Sequence, residues 1–136
     1  MCKSLPYSLT MTTKYQKKID RSPCPIACTL DVVGDKWTLV IVRDMLNGKS
    51  RFSGFHDSPE RIPTNILADR LRRMEEKGLL TKNLYAKKPP RFEYALTVKG
   101  EALLPILQEV CRWGNKFLKG TWVPPERFMS RKLAKV

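Results

Sequence analysis

The chain has 136 residues, 42% of them hydrophobic, with 26 Lys+Arg against 13 Asp+Glu for a formal net charge of +13. That length suits one domain with its own core, and the apolar content excludes wholesale disorder. No uncharged run approaches the ~18–20 apolar residues of a membrane span and no apolar signal segment opens the chain, so a cytoplasmic protein with reduced cysteines is expected.

Residues 1–22 show no sustained periodicity and read as a flexible basic arm. Regular structure begins at Ser22-Pro23-Cys24-Pro25, where proline suits the first helical position and places Cys24 at or beside the N-cap. Ile26, Leu30 and Val33 then space a short helix that stops at Gly34. A second helix fits Asp35–Leu46, with Trp37, Val40, Ile41 and Met45 on one face and Asn47-Gly48 as its stop. A short third helix is predicted around Phe52 and Phe55, ended by Ser58-Pro59. The fourth runs from about Pro63 to Lys77 on a stripe of Leu67, Leu71 and Met74, and Gly78 ends it. The period then changes to that of strands at Leu80–Tyr85 and Phe92–Thr97, joined by a basic tip, residues 86–91, long enough to project. A long fifth helix, about Lys99–Leu118, carries apolar residues on more than one face, including Leu103, Leu104, Val110, Trp113 and Phe117. That excess asks for burial against a second subunit. From Gly120 the chain reads as a basic tail.

The fold class that follows is mainly α with a small β-hairpin wing (α+β). Residues 1–22 form the arm, 23–118 a winged helix-turn-helix domain that dimerises, and 119–136 the tail. The charge is placed accordingly. Residues 49–91 hold 11 basic and five acidic residues, whereas 24–48 is at −1 and 92–118 is neutral; each tail adds +4. A localised basic surface attracts polyanions, nucleic acid first and anionic membrane second.

With Leu67 as the buried reference, the fourth helix turns Asn65, Ala68, Asp69, Arg72 and Glu76 outward, with Thr64 and Arg73 at the edges. An α-helix fits the major groove, where Asn pairs bidentately with adenine and Arg with guanine or a phosphate. Thr64 suits a phosphate or a thymine methyl. Asp69 is unusual on such a surface and is expected to orient Arg72 or Arg73 rather than touch DNA. The bland alternative is a merely solvated helix face. Lys82, Lys87, Lys88 and Arg91 in the wing, between nearly neutral flanks, weigh against it.

Over residues 24–118 the sequence resembles the HxlR-type winged-helix transcription regulators, relatives of the MarR group. The resemblance rests on Cys24-Pro25, Gly34-Asp35-Lys36-Trp37-Thr38, Leu46-Asn47-Gly48 and Arg51-Phe52. It continues through Ile62–Leu71, Glu76-Lys77-Gly78-Leu79, Pro89–Thr97, Gly100 and Trp113-Gly114. The family often has a second Gly where Asp35 stands and Ser where Pro63 stands. The resemblance implies a homodimer assembled through the first and last helices that binds inverted-repeat operators near promoters; a repressor is expected, with activation the alternative. It also implies that Arg51, Thr64, Asn65 and Arg72 lie at the DNA, with Lys87, Lys88 and Arg91 in the wing.

Cys24 sits where redox-sensing members keep their reactive cysteine. A thiol at a helix N-terminus faces unpaired N–H groups that favour thiolate, the form oxidants and electrophiles attack. Oxidation or alkylation of Cys24 altering operator affinity is thus one expectation; a cysteine packed at the dimer seam is the other. Cys28 and Cys111 read as core residues, either able to resolve an oxidised Cys24, and Cys2 lies in the arm. A second paired motif is missing and His56 is the only histidine, so no zinc site or other metal or cofactor is expected. No phosphate-cradling glycine loop or nucleophile elbow marks an enzyme. The rival reading is a DNA- or RNA-binding protein without sequence preference. The regulator reading places the protein on the nucleoid when it is DNA-bound.

Overall fold

The computed structural model describes residues 21–133. Residues 1–20, with most of the expected arm and Cys2, lie outside the described residues, as do 134–136. The first helix, α1 (Pro25–Val33), has Cys24 as N-cap and Pro25 in its first turn. It ends at Gly34, whose N–H reaches the Leu30 carbonyl at 2.7 Å. The second, α2 (Thr38–Leu46), begins three residues later than the sequence suggests. Asp35 lies in the preceding turn, where its carboxylate accepts from the N–H groups of Trp37 (3.0 Å) and Thr38 (3.1 Å) and from the Thr38 hydroxyl. It satisfies donors that a helix start leaves orphaned.

Next come α3 (Phe52–His56) and α4 (Thr64–Glu76). Two antiparallel strands, β1 (Leu80–Lys87) and β2 (Pro90–Leu96), form the wing, in a register running from Leu80 opposite Leu96 to Lys87 opposite Pro90. An Arg51–Glu93 bridge and a 2.7 Å bond from the Tyr94 N–H to the Ser50 carbonyl tie the hairpin to the start of α3. The expected six-residue tip is corrected here. A bulge between Leu84 and Ala86 resets the register, and pairing continues until only Lys88-Pro89 turns the chain, through a cis bond.

The single fifth helix is a second correction. It divides into α5 (Val98–Glu101) and α6 (Leu104–Phe117). Pro105 has no N–H for the Glu101 carbonyl, and its ring would collide with it, so the helix must restart. Within α5 Gly100 is needed because a Cβ there would stand 2.1 Å from the Leu79 carbonyl oxygen. Part of the presumed tail is also docked. It forms α7 (Glu126–Met129) and buries Phe128. Gln108 Nε2 donates to the carbonyls of Phe128 (3.0 Å) and Arg131 (2.8 Å), and Arg131 Nη1 donates to that of Leu46 (2.7 Å).

Apolar side chains from α2, α3 and α4 meet those of the wing and α6 in one core. Ile41, Val42, Phe55, Ile62, Leu67, Leu71, Met74, Leu80 and Leu104 are all at most 2% exposed. Burial of each stabilises by roughly 1.5–3 kcal/mol. The predicted α4 stripe is therefore the core face. Ile26 and Leu30 of α1 are exposed, together with Val110, Trp113 and Phe117 along α6. Among the described residues no helix is long and apolar enough to cross a membrane.

Candidate nucleic-acid interface

The loop from α3 to α4 is fixed by charge. Arg43, near the end of α2, reaches both carboxylate oxygens of Glu60 at 2.6 and 2.8 Å and also pairs with Asp44 at 2.9 Å. The Glu60 bonds hold the Arg43 guanidinium charged and, in turn, pull the Glu60 carboxyl below its usual range. Buried Asp44 accepts from the Ser58 hydroxyl, which also receives Lys49 Nζ at 3.1 Å. Ser58, read from sequence only as a breaker, is a buried tie that fixes the chain entering α4.

The α4 helix presents its predicted face to solvent. Thr64, Asn65, Ala68, Arg72 and Arg73 are exposed, and Asp69 is half-buried. Thr64 Oγ1 lies 3.3 Å from His56 Nε2, so the first residue of α4 meets the end of α3. Asp69 collects three arginines. Its Oδ1 takes Arg72 at 2.7 Å, while Oδ2 takes Arg70 at 2.6 Å and Arg73 at 3.0 Å. The bond from Arg72 leads in holding the Asp69 carboxyl below its ordinary value, with the charges of Arg73 and Arg70 adding to it. Arg72 also reaches Glu76 at 2.7 Å. Arg70 turns inward, and its Nε donates to Asp35 at 2.9 Å. Asp69 contacts the arginines it was expected to orient. The Arg70–Asp35 tie, 35 residues long in sequence, had no signal in any local pattern.

In the wing, Lys82, Lys87, Lys88 and Arg91 are exposed. Lys82 lies over the Phe92 ring at 4.6 Å, which keeps its ammonium near the hairpin surface. Arg51, the N-cap of α3, belongs to this group as well. It stacks over Tyr85 at 4.1 Å and pairs with Glu93 at 3.2 Å, so the fold brings it to the wing.

Cys24 is half-buried at the N-cap of α1, with its N–H on Ser22 Oγ at 3.1 Å. Cys28 is half-buried too, and its thiol donates to the Ser22 carbonyl at 3.1 Å instead of entering the core. Cys111 does pack against the core, and burial pushes its thiol upward. Among the described residues no group of three or more His, Cys, Asp and Glu is placed to hold a metal ion.

The arrangement offers an exposed polar helix face for base edges and a cationic hairpin for phosphates. Known proteins are similar to this chain in sequence and fold. The family model for the HxlR-like helix-turn-helix matches residues 32–121. The uncharacterized HTH-type transcriptional regulator YdeP of Bacillus subtilis (strain 168) is 34% identical over 98 residues, 72% of this chain and 77% of YdeP. The crystal structure of PA1607 superposes with a TM-score of 0.70 at 35% identity, covering 87% of this chain and 84% of that one. The redox regulator HypR in its oxidised form superposes with a TM-score of 0.62 at 36% identity, covering 68% of this chain and 96% of HypR.

Proposed function

Since the chain belongs to the HxlR-like helix-turn-helix family of transcriptional regulators, we propose that it acts as a homodimeric repressor on inverted-repeat operators. In this reading α4 enters the major groove, Asn65 and Arg72 read base edges, and Thr64 contacts the strand beside them. Lys82, Lys87, Lys88, Arg91 and Arg51 grip the neighbouring backbone. The observation that carries the reading is the exposed α4 face, anchored to the core by Leu67, Leu71 and Met74, beside a wing that ends in cations.

Dimerisation is supported by the exposed apolar residues of α1 and α6. Covering them would remove a patch that is costly to leave in water. Two such protomers match two half-sites about 34–36 Å apart, one helical turn of DNA. Cys24 is proposed as the regulatory thiol. Its support is its place at a helix N-cap and the likeness to HypR, which is a redox regulator.

The test is binding of a duplex enriched from a randomised library, against a scrambled duplex, over a series of salt concentrations with and without diamide. A sequence-reading regulator keeps a ratio of about 10³ or more as salt rises, because only the phosphate contribution falls away. Loss of the ratio at moderate salt returns the reading to non-specific binding of DNA or RNA. Diamide should change operator affinity in the wild type and leave Cys24→Ser unmoved; equal responses remove the thiol switch.

A further inference from the structure

Resting on the assignment of α4 as the recognition helix, we infer that Asp69 is a specificity-determining positioning residue. It withholds Arg72 and Arg73 from phosphates, so that random duplex is held weakly and a matching base edge is needed to draw Arg72 away.

The geometry begins with Arg72. One nitrogen of its guanidinium is on Asp69 and another is on Glu76, both at 2.7 Å, so both ends of the fork are occupied along the axis of α4. Arg73 is drawn to the same carboxylate through Nε at 3.0 Å. Asp69 is itself prevented from swinging clear. Arg70 Nη1 holds Asp69 Oδ2 at 2.6 Å while Arg70 Nε holds Asp35 at 2.9 Å. Asp35 in turn is fixed by the two N–H groups at the start of α2. A chain of charged contacts thus runs from that turn to the exposed arginines, each link at hydrogen-bond distance.

Charge along α4 points the same way. Residues 69–76 contain three arginines and three carboxylates (Asp69, Glu75, Glu76), so this stretch is neutral, whereas the hairpin carries uncompensated lysines. A neutral helix contributes little to the sequence-independent attraction that dominates non-specific binding. Its carboxylates also repel the phosphates of a mismatched site. A base edge that accepts Arg72 in bidentate geometry replaces the carboxylate with an equally directional partner. A phosphate met at random has no such fixed placement. Asp69 in this way penalises all duplexes, and the penalty is offset only where the bases fit.

The experiment compares wild type with Asp69→Asn, Asp69→Glu and Glu76→Gln, using the library-enriched duplex and a scrambled one across a salt series, with melting temperatures alongside. Each phosphate newly neutralised adds about 0.9 to the salt slope, roughly an eightfold gain between 1 M and 0.1 M salt. In Asp69→Asn, Arg72 keeps its Glu76 contact and Arg73 is freed, so scrambled duplex should bind about eightfold more tightly per protomer at 0.1 M salt, with a steeper slope. Its ratio of enriched to scrambled duplex should fall by a similar factor. Asp69→Glu should restore the wild-type slope, and Glu76→Gln should move it less, since Arg73 stays on Asp69. A lower melting temperature with slope and ratio unchanged would reduce Asp69 to a structural residue and overturn the inference alone. A wild type with no sequence preference overturns it together with the assignment of α4.

Discussion

Replacing Asn65 with alanine separates base reading from backbone grip. Asn65 is the second residue of α4 and is exposed, and among the described residues its side chain makes no hydrogen bond or ion pair. Its loss should leave stability within about 0.5 kcal/mol, a shift of only about 2–3 °C in melting temperature. The DNA side is different. A bidentate Asn–adenine pair discriminates by about 1–3 kcal/mol, and a dimer on an inverted repeat makes it twice, so operator binding should weaken about 30-fold or more. Scrambled duplex should be bound as before. The companion variant is Lys88→Ala, at the turn of the hairpin. It should weaken enriched and scrambled duplex by the same factor and lower the salt slope by about 1 per protomer. Fluorescence anisotropy with both duplexes across about 0.05–0.3 M salt reads affinity and slope together. If Asn65→Ala weakens both duplexes equally, or matches Lys88→Ala in slope, α4 is not the element that reads sequence.

Other expectations address the scaffold. Phe128→Ala should cost about 3 kcal/mol in urea unfolding, the lower end for a buried Phe because α7 sits at the edge of the core; a loss below about 1 kcal/mol would mean that α7 adds no stability. Asp35 gives a pH dependence. Burial raises its carboxyl pKa, but hydrogen bonds from Thr38, Trp37 and Arg70 outweigh this and hold it below the ordinary 3.8. Its contribution is then fully present above that value and is lost as pH falls through the folded-state value. Melting curves of wild type and Asp35→Asn should converge in acid and separate toward neutrality; a constant gap would exclude the ionised carboxylate as the cause.

What was legible in the sequence follows from the range of the interactions. The α4 stripe of Leu67, Leu71 and Met74 repeats within one helix, and the strands beside the wing turn announce themselves by a change of period. Asp69 lies three and four residues from Arg72 and Arg73, so its contacts were readable from helical spacing alone. The break between α5 and α6 falls at Ala102-Leu103, just ahead of Pro105 in the first turn of α6, and the run of leucines at 103 and 104 hid it. In the hairpin, the bulge beside Tyr85 shifted pairing by one residue and drew Lys87 into β1, which alternation alone does not reveal. Composition misread the segment after Gly120. Phe128 and Arg131 are ordered by Gln108 and by the Leu46 carbonyl, 20 and 85 residues away.

The least legible contacts are those that aim α4. At its leading end Glu60 is held by Arg43 and Ser58 by Asp44, across 17 and 14 residues; at its middle Arg70 is held by Asp35 across 35. All three ties run to α2 or to the turn that starts it. The apolar stripe fixes which face of α4 is buried, but apolar contact is non-directional and leaves sliding and rotation about the axis weakly determined. Charged hydrogen bonds are directional, and a bidentate pair adds geometric specificity. With one tie near each end of α2, α4 is set in register against it, and a displacement of about 1 Å would be enough to misalign a bidentate base contact. The second helix is therefore the frame of the candidate interface, although none of the residues proposed to face DNA lies in it.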